Sequence, residues 1–415
     1  MAATLRRQQA AETLLVAARS AVILGAATGF FVMPILMWNL SGSPAWTSAL
    51  AAAQGLPVLF ASPVASFLVD NFSRFTIAVS SDLLSCVVVS CLLLTAWARA
   101  INPPLLLAVA VALQAVAAVA TANNHALVMQ IAGSERVGSL QARLHQVYSL
   151  GDVGMPLVAG LALSTVGVLP LLGLWAILLA CGALTMARLA VGRRHVTPHQ
   201  SPRRATRVLF RAYLQLVAST PSVARQLGVA TLLMVGGGMI IGQMVPWMEQ
   251  RLGLQQGNWN YGIIFTGWGL GSLLGATIAN RMSTSHRWRP RFGLTSIVFT
   301  FSVGLAALTT NPWVAALAMT AWSATNMTLA IGTLVERQRA TPAGLQGTVS
   351  SYSRAISLGI GWPFGAGLAG LSLQAGLALP TVMTAYAVTA ALALGALYLG
   401  WASAPRVVTE GVTRG

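Results

Sequence analysis

Apolar stretches of roughly twenty residues follow one another from Thr13 to Trp401, parted by short polar gaps in which the arginines collect. An α-helix needs ~20 apolar residues to cross ~30 Å of hydrocarbon. A spanning segment must also satisfy its own backbone hydrogen bonds, so the pattern predicts a helical bundle in a bilayer. The predicted spans are Thr13–Trp38, Trp46–Val69, Ile77–Trp97, Pro104–Ile131, Leu144–Val166, Leu169–Val191, Gln226–Met248, Tyr261–Ala279, Phe292–Thr309, Trp313–Val335, Thr348–Leu371 and Leu377–Trp401. The expectation is an all-α membrane protein of 12 transmembrane helices: a six-helix bundle over residues 1–191, a linker over 192–225, and a second bundle with a short tail over 226–415.

The two halves share sequence features. The second span ends Ser66-Phe-Leu-Val-Asp70-Asn-Phe-Ser-Arg74, and the eighth ends Gly275-Ala-Thr-Ile-Ala279-Asn-Arg-Met. The fifth carries Gly154-Met-Pro156 and then Gly160, while the eleventh carries Gly361-Trp-Pro363 and then Gly367. The Asp70-to-Ala279 and Pro156-to-Pro363 offsets differ by only two residues, as expected if one six-helix unit was duplicated.

Composition sharpens the picture. Of 415 residues, 56% are hydrophobic and 8% charged, too few ionisable groups to cover a soluble protein of this size. The net charge of +17 comes entirely from arginine, without the clustered aromatics of a nucleic-acid surface, so no nucleic-acid partner is expected. All of the 25 arginines except Arg99 and Arg251 fall in the terminal tails, the even-to-odd loops, the central link or the turns beside them. The positive-inside rule then places both termini in the cytoplasm, with Trp38, Trp46, Trp97, Trp247, Trp259, Trp313 and Trp401 near the interfaces. The arginine-rich link reads either as a solvated connector or, over Thr206–Leu216, as a short amphipathic helix on the inner leaflet. The N-terminal segment reads as a retained first helix rather than a cleaved signal. Cys86, Cys91 and Cys181 lie within spans without metal-like spacing, so neither a metal site nor a cofactor is expected.

At the quoted motifs the chain resembles the major facilitator superfamily over nearly its whole length, and within it the branch of enterobactin exporters and macrolide efflux proteins. The second-to-third loop is similar to the superfamily pattern Gly-x-Leu-x-Asp-(Arg)-x-x-Arg through Ser66, Leu68, Asp70 and Arg74. Ser66 and Asn71 depart from it. Ala18-Arg19-Ser20, Ser81-Asp82-Leu83-Leu84 and Tyr261-Gly262 before Gly269-Leu-Gly-Ser-Leu-Leu-Gly275 resemble the exporter branch. The resemblance implies that Asp70 and Arg74 form a gate latch against a helix N-terminus of the other half; the alternative is a charge cluster that only sets topology.

Charges inside spans are costly and point to function. Arg19, Asp82 and Asp152 are the clearest, and they are the candidates for proton coupling, with Asp152, the deepest, first among them. Arg19 and Asp82 fall at one depth with Asn123, Asn124 and His125, either as a functional polar cluster or as a network that holds helices together. Asp152 precedes Pro156 in a run, Gly151-x-x-x-Met155-Pro156-x-x-x-Gly160, that resembles the fifth-helix antiporter motif. Gly151, Pro156, Gly160, Pro363 and Gly367 are the helix-bend candidates. The resemblance implies that the first, fourth, seventh and tenth helices line a cavity, which nominates Gln114, Asn123, Asn124, His125, Gln243, Trp247, Trp322 and Asn326 as substrate contacts.

The expected function is secondary active export of a small amphipathic organic compound, such as a siderophore, macrolide or other secondary metabolite. Alternating access driven by proton antiport would move it, in a monomer embedded among the lipids of a bacterial inner membrane. A lipid or lysolipid flippase of the same fold is the alternative; a non-transporting sensor or a membrane-embedded enzyme is a weaker one. No nucleophile elbow or nucleotide loop is present in the sequence, and without lysine there is no Walker motif.

Overall fold

Proline after a polar residue starts four of the helices in the computed structural model, which describes residues 2–191, 206–254, 260–283, 288–342 and 345–402. Proline costs nothing there, because the first-turn N–H that it lacks has no intrahelical partner. Asn102 and Asn311 add side-chain caps, accepting from the backbone N–H groups of Leu105 and Trp313, each at 2.9 Å.

The helices in chain order are α1 (Ala2–Ser41), α2 (Pro44–Asn71), α3 (Arg74–Trp97), α4 (Pro103–Thr165), α5 (Val168–Val191), α6 (Thr206–Ser219) and α7 (Pro221–Gln250). After them come α8 (Asn260–Ser283), α9 (Trp288–Leu308), α10 (Pro312–Arg339), α11 (Gln346–Ile356), a π-helical turn (Ser357–Gly361), α12 (Trp362–Gln374) and α13 (Leu379–Ala402). Among the described residues, 11 stretches are long and apolar enough to cross a membrane. The 28-residue α2 is a further apolar helix.

Three elements differ from the expected spans. The fourth and fifth crossings share the helical run α4, whose 63 residues would extend roughly 95 Å if straight. Instead the chain doubles back near residues 133–138. The Ala132 carbonyl meets Gln8 of α1 and Arg136 pairs with Glu12 at 2.9 Å, after which Gly151 lies against Ile23 and Ala27. The eleventh crossing is interrupted by the π-turn ahead of Pro363. Within the linker, α6 forms a helix docked on α7 and α11, where Tyr213 is fully buried with Val223 and Val349.

The first half packs α1, α2 and α3 against α4 and α5; the second packs α7 against α10 and α12, and α9 against α10 and α13. Backbone features repeat between them. Asn102-Pro103 and Asn311-Pro312 open the fourth and tenth crossings. Gly42 and Gly253 follow the first and seventh, and Gly167 and Gly376 the fifth and eleventh, all at positive φ, where a side chain would strain the turn. The outer surface carries large apolar groups such as Phe301 (69% exposed) and Leu317 (70%), a sheath that only lipid can cover. Trp97 and Trp313 are exposed near helix ends, as an interfacial belt requires. Trp38 and Trp247 instead turn inward, and the Trp259 and Trp401 side chains lie outside the described residues.

Candidate functional site

One face of α1 builds much of a cavity of about 400 Å³. Arg19, Val22, Ile23, Ala26, Gly29, Phe30 and Met33 recur at helical spacing along its wall. The fourth crossing adds Leu113, Gln114, Thr121 and Asn124, and the fifth, also on α4, adds Tyr148; other first-half helices add Gln54, Asp82, Ser85 and Trp175. Among the described residues, the second half contributes Leu358 and Trp362.

Arg19 and Asp82 meet in this wall as a buried bidentate pair, with Nη2 to Oδ2 at 2.5 Å and Nη1 to Oδ1 at 3.3 Å. Their side chains are 6% and 2% exposed. In an apolar interior each charge alone would be prohibitive, and the planar guanidinium matches the carboxylate geometry. The pair leaves the cavity polar yet neutral at that point. Two hydrogen-bonding atoms remain unpartnered there, Arg19 Nε and Asn124 Oδ1.

The other sequence-predicted residues fall in different places. Asn123 donates to the Arg74 carbonyl at 2.8 Å, and Arg74 donates to the Ala126 carbonyl at 2.9 Å, so the two tie the start of α3 to α4. Leu68 is half-buried, and its carbonyl accepts the N–H that ends α2. The side chains of Ser66, Asp70 and His125 lie outside the described residues. Asp152 is exposed and is not part of the cavity wall. It sits one turn beyond Tyr148, with its main chain against Gly269 of α8.

Gln243, Trp247, Trp322 and Asn326 do not line the cavity either. Gln243 donates to Ser48 Oγ and to the Pro44 carbonyl, while Trp247 Nε1 donates to the Ala306 carbonyl at 3.1 Å. Trp322 is buried in the second half with Nε1 unpartnered, and Asn326 Oδ1 also lacks a partner. Helical periodicity puts residues on a common face. Which face meets the cavity is decided by how the seventh and tenth crossings pack on their neighbours.

At the end away from the N-terminus the halves are sealed together. Glu249 accepts from Trp38 Nε1 at 2.5 Å and from the Tyr261 hydroxyl at 2.7 Å. The Thr266 hydroxyl donates to the Val153 carbonyl at 3.2 Å, and Trp362 Nε1 donates to the Ala51 carbonyl at 2.9 Å. Phe31 packs edge-on against Phe265, with centroids 4.9 Å apart. Small residues permit the close approach. A Cβ on Gly160 would lie 2.8 Å from the Gly262 Cα, and one on Gly55 would lie 2.8 Å from the Pro363 ring. Gly151 makes ordinary contacts with α1, and Gly367 faces open space. Glu249 is one residue that the sequence did not single out, although an acid at the end of an apolar helix is itself a signal.

Among the described residues no group of three or more His, Cys, Asp or Glu could hold a metal ion. Cys86, Cys91 and Cys181 are free.

Comparison with known proteins places this arrangement. No curated protein matches the sequence. A nucleoside transporter, NupG, superposes with a TM-score of 0.75 at 12% identity, covering 95% of this chain and 100% of that one. A bacterial homologue of the iron transporter ferroportin, inward-facing, gives 0.70 at 15% identity, covering 95% and 99%. A bacterial homologue of the human lysosomal transporter Spinster, inward-facing and unoccupied, gives 0.64 at 16%, covering 94% of both chains. At such identities the likeness concerns the fold. The model of the Major Facilitator Superfamily matches residues 15–366, and with two repeated six-helix halves around a shared cavity, this chain belongs to that superfamily and is a multi-pass membrane transporter rather than an enzyme.

Proposed function

We propose that the protein is a bacterial inner-membrane exporter of a small amphipathic organic compound, working by proton antiport and alternating access. The observation that carries this reading is the cavity wall itself. It combines amides (Gln54, Gln114, Asn124), a phenol (Tyr148), indoles (Trp175, Trp362) and one internally neutralised ion pair within a mostly apolar surface. Such a wall suits a solute with both apolar area and hydrogen-bonding groups better than it suits an inorganic ion. The branch of enterobactin exporters and macrolide efflux proteins fits the same chemistry.

The moving bodies are residues 1–191 and 226–415, joined by the arginine-rich connector 192–225 with both termini in the cytoplasm. The far-end seal then closes the extracellular side, and the described conformation is inward-facing. Asp82 is the leading proton-coupling group, because it stands in the wall and is bonded to Arg19. Taking up a proton would weaken that bond and free Arg19, so the charge state of the wall and cavity occupancy are linked. Asp152, at the contact between the fifth crossing and α8, is a second candidate. Asp70 and Arg74 are assigned to the cytoplasmic gate.

Purified protein in proteoliposomes with an imposed pH gradient tests this reading against a panel of siderophores, macrolides and lysolipids. Gradient-dependent movement of an amphipathic organic solute, abolished by an ionophore, is expected. Movement of lysolipid alone would replace export by lipid flipping, and transport indifferent to the gradient would remove the antiport.

A further inference from the structure

Trp362 has a double position that no other described residue of the second half shares. Its indole lines the cavity, and its Nε1 reaches across the molecule to the Ala51 carbonyl of α2 at 2.9 Å. The ring that would face a solute is therefore also a tie in the seal. The surrounding chain is shaped to hold it there. Ser357–Gly361 forms a π-turn directly before it, and Pro363, with no N–H to give, directly follows. A π-turn carries one residue more than an α-turn, so relaxing it to α rotates the following side chains by about 100°. On the other side, a Cβ at Gly237 of α7 would lie 2.8 Å from the indole Cζ3, and a Cβ at Gly238 would run into the Trp362 main chain. Only glycine leaves space for the indole at the first position and for its main chain at the second.

We propose that Trp362 couples the contents of the cavity to the far seal: it is a contact for a planar or aromatic part of the solute and, through the same indole, the latch that holds α12 to α2. This rests on the cavity being the transport path. A solute stacked on the ring competes with the ring position that serves Ala51, and the π-turn supplies the rotation that releases it.

Two measurements on the full-length protein in lipid nanodiscs test it without any substrate, so a failed substrate screen leaves them readable. The background replaces Cys86, Cys91 and Cys181. For the latch, spin labels at Ala100→Cys and Thr310→Cys, both exposed at the sealed end, report the distance between halves. Trp362→Phe, which keeps an aromatic ring but loses the N–H, is expected to raise the separated population about 5-fold, the equivalent of one net hydrogen bond. Trp362→Leu is expected to raise it at least as far; should Leu fail to fold, Phe alone decides. For the contact, bimane attached at Gln54→Cys, one helical turn from Ala51, serves as a tethered aromatic occupant. Tryptophan quenches bimane only at close range, so fluorescence is expected to rise in Trp362→Phe. An unchanged distance distribution with merely lower thermal stability would reduce Trp362 to packing, and unquenched bimane beside native Trp362 would remove the contact; either result overturns the proposal.

Discussion

Arg19 and Asp82 show how far single residues can be understood from their surroundings. Each is a charge that the hydrocarbon would reject, and together they form a neutral bidentate unit in the cavity wall. Asp82→Asn leaves the guanidinium buried without a counter-charge, and it is expected to cost about 3–5 kcal/mol of stability. Arg19→Gln combined with Asp82→Asn should recover much of that loss without restoring gradient-driven transport. Thermal unfolding of the two single variants and the double variant in detergent, taken as a cycle, measures the coupling; strictly additive losses would mean that the pair is not a unit. Arg19, Asp82, Gln114 and Asn124 were legible in the sequence because polar groups inside apolar spans are rare. Trp175, Tyr148, Gln54 and Trp362 were not, because they lie on the sixth, fifth, second and eleventh spans, outside the helices expected to line the cavity.

At the scale of elements, local pattern told where helices run but not how they turn. The gap between the fourth and fifth spans marked the reversal, but not that α4 stays helical through it. The π-turn before Pro363 is likewise absent from hydropathy, since it shifts register without changing composition. The docking of α6 is a clearer case: Tyr213, buried between α6 and α11, contacts the Ser353 hydroxyl at 3.4 Å and rings with Phe210 and Tyr352. Burial pushes the Tyr213 phenol above its ordinary value of 10.0, with the Ser353 bond working the other way. A group whose folded pKa is raised lends stability that is complete below its unfolded pKa and is lost as pH rises through the folded value. A spin label at Ser219→Cys should therefore stay immobile across the neutral range and loosen only above about pH 10. Tyr213→Phe, which keeps the ring but cannot ionise, should remove that alkaline transition; its persistence in the variant would assign the loosening elsewhere.

The whole molecule is two repeated bundles that touch through small residues and a few hydrogen bonds. On the proposed topology, a cysteine at Ala100 should react with an impermeant maleimide in intact cells, and one at Ser219 only after permeabilisation; the reverse pattern would invert the topology. The run of apolar segments, the repeated motifs and the loop arginines suffice for the bilayer, the twelve crossings and the superfamily, because each follows from the cost of polar groups in lipid and is written locally along the chain. The wall of the cavity is a different matter. Gln243 went to the seal, Trp247 to packing within the second half, Asp152 to a helix contact, and Trp362 into the cavity, through the rotation and approach of whole helices set by Gly160 against Gly262, Gly55 against Pro363 and Gly237 against an indole. Those choices depend on steric fit between segments a hundred or more residues apart, which no local pattern encodes and only the assembled bundle decides.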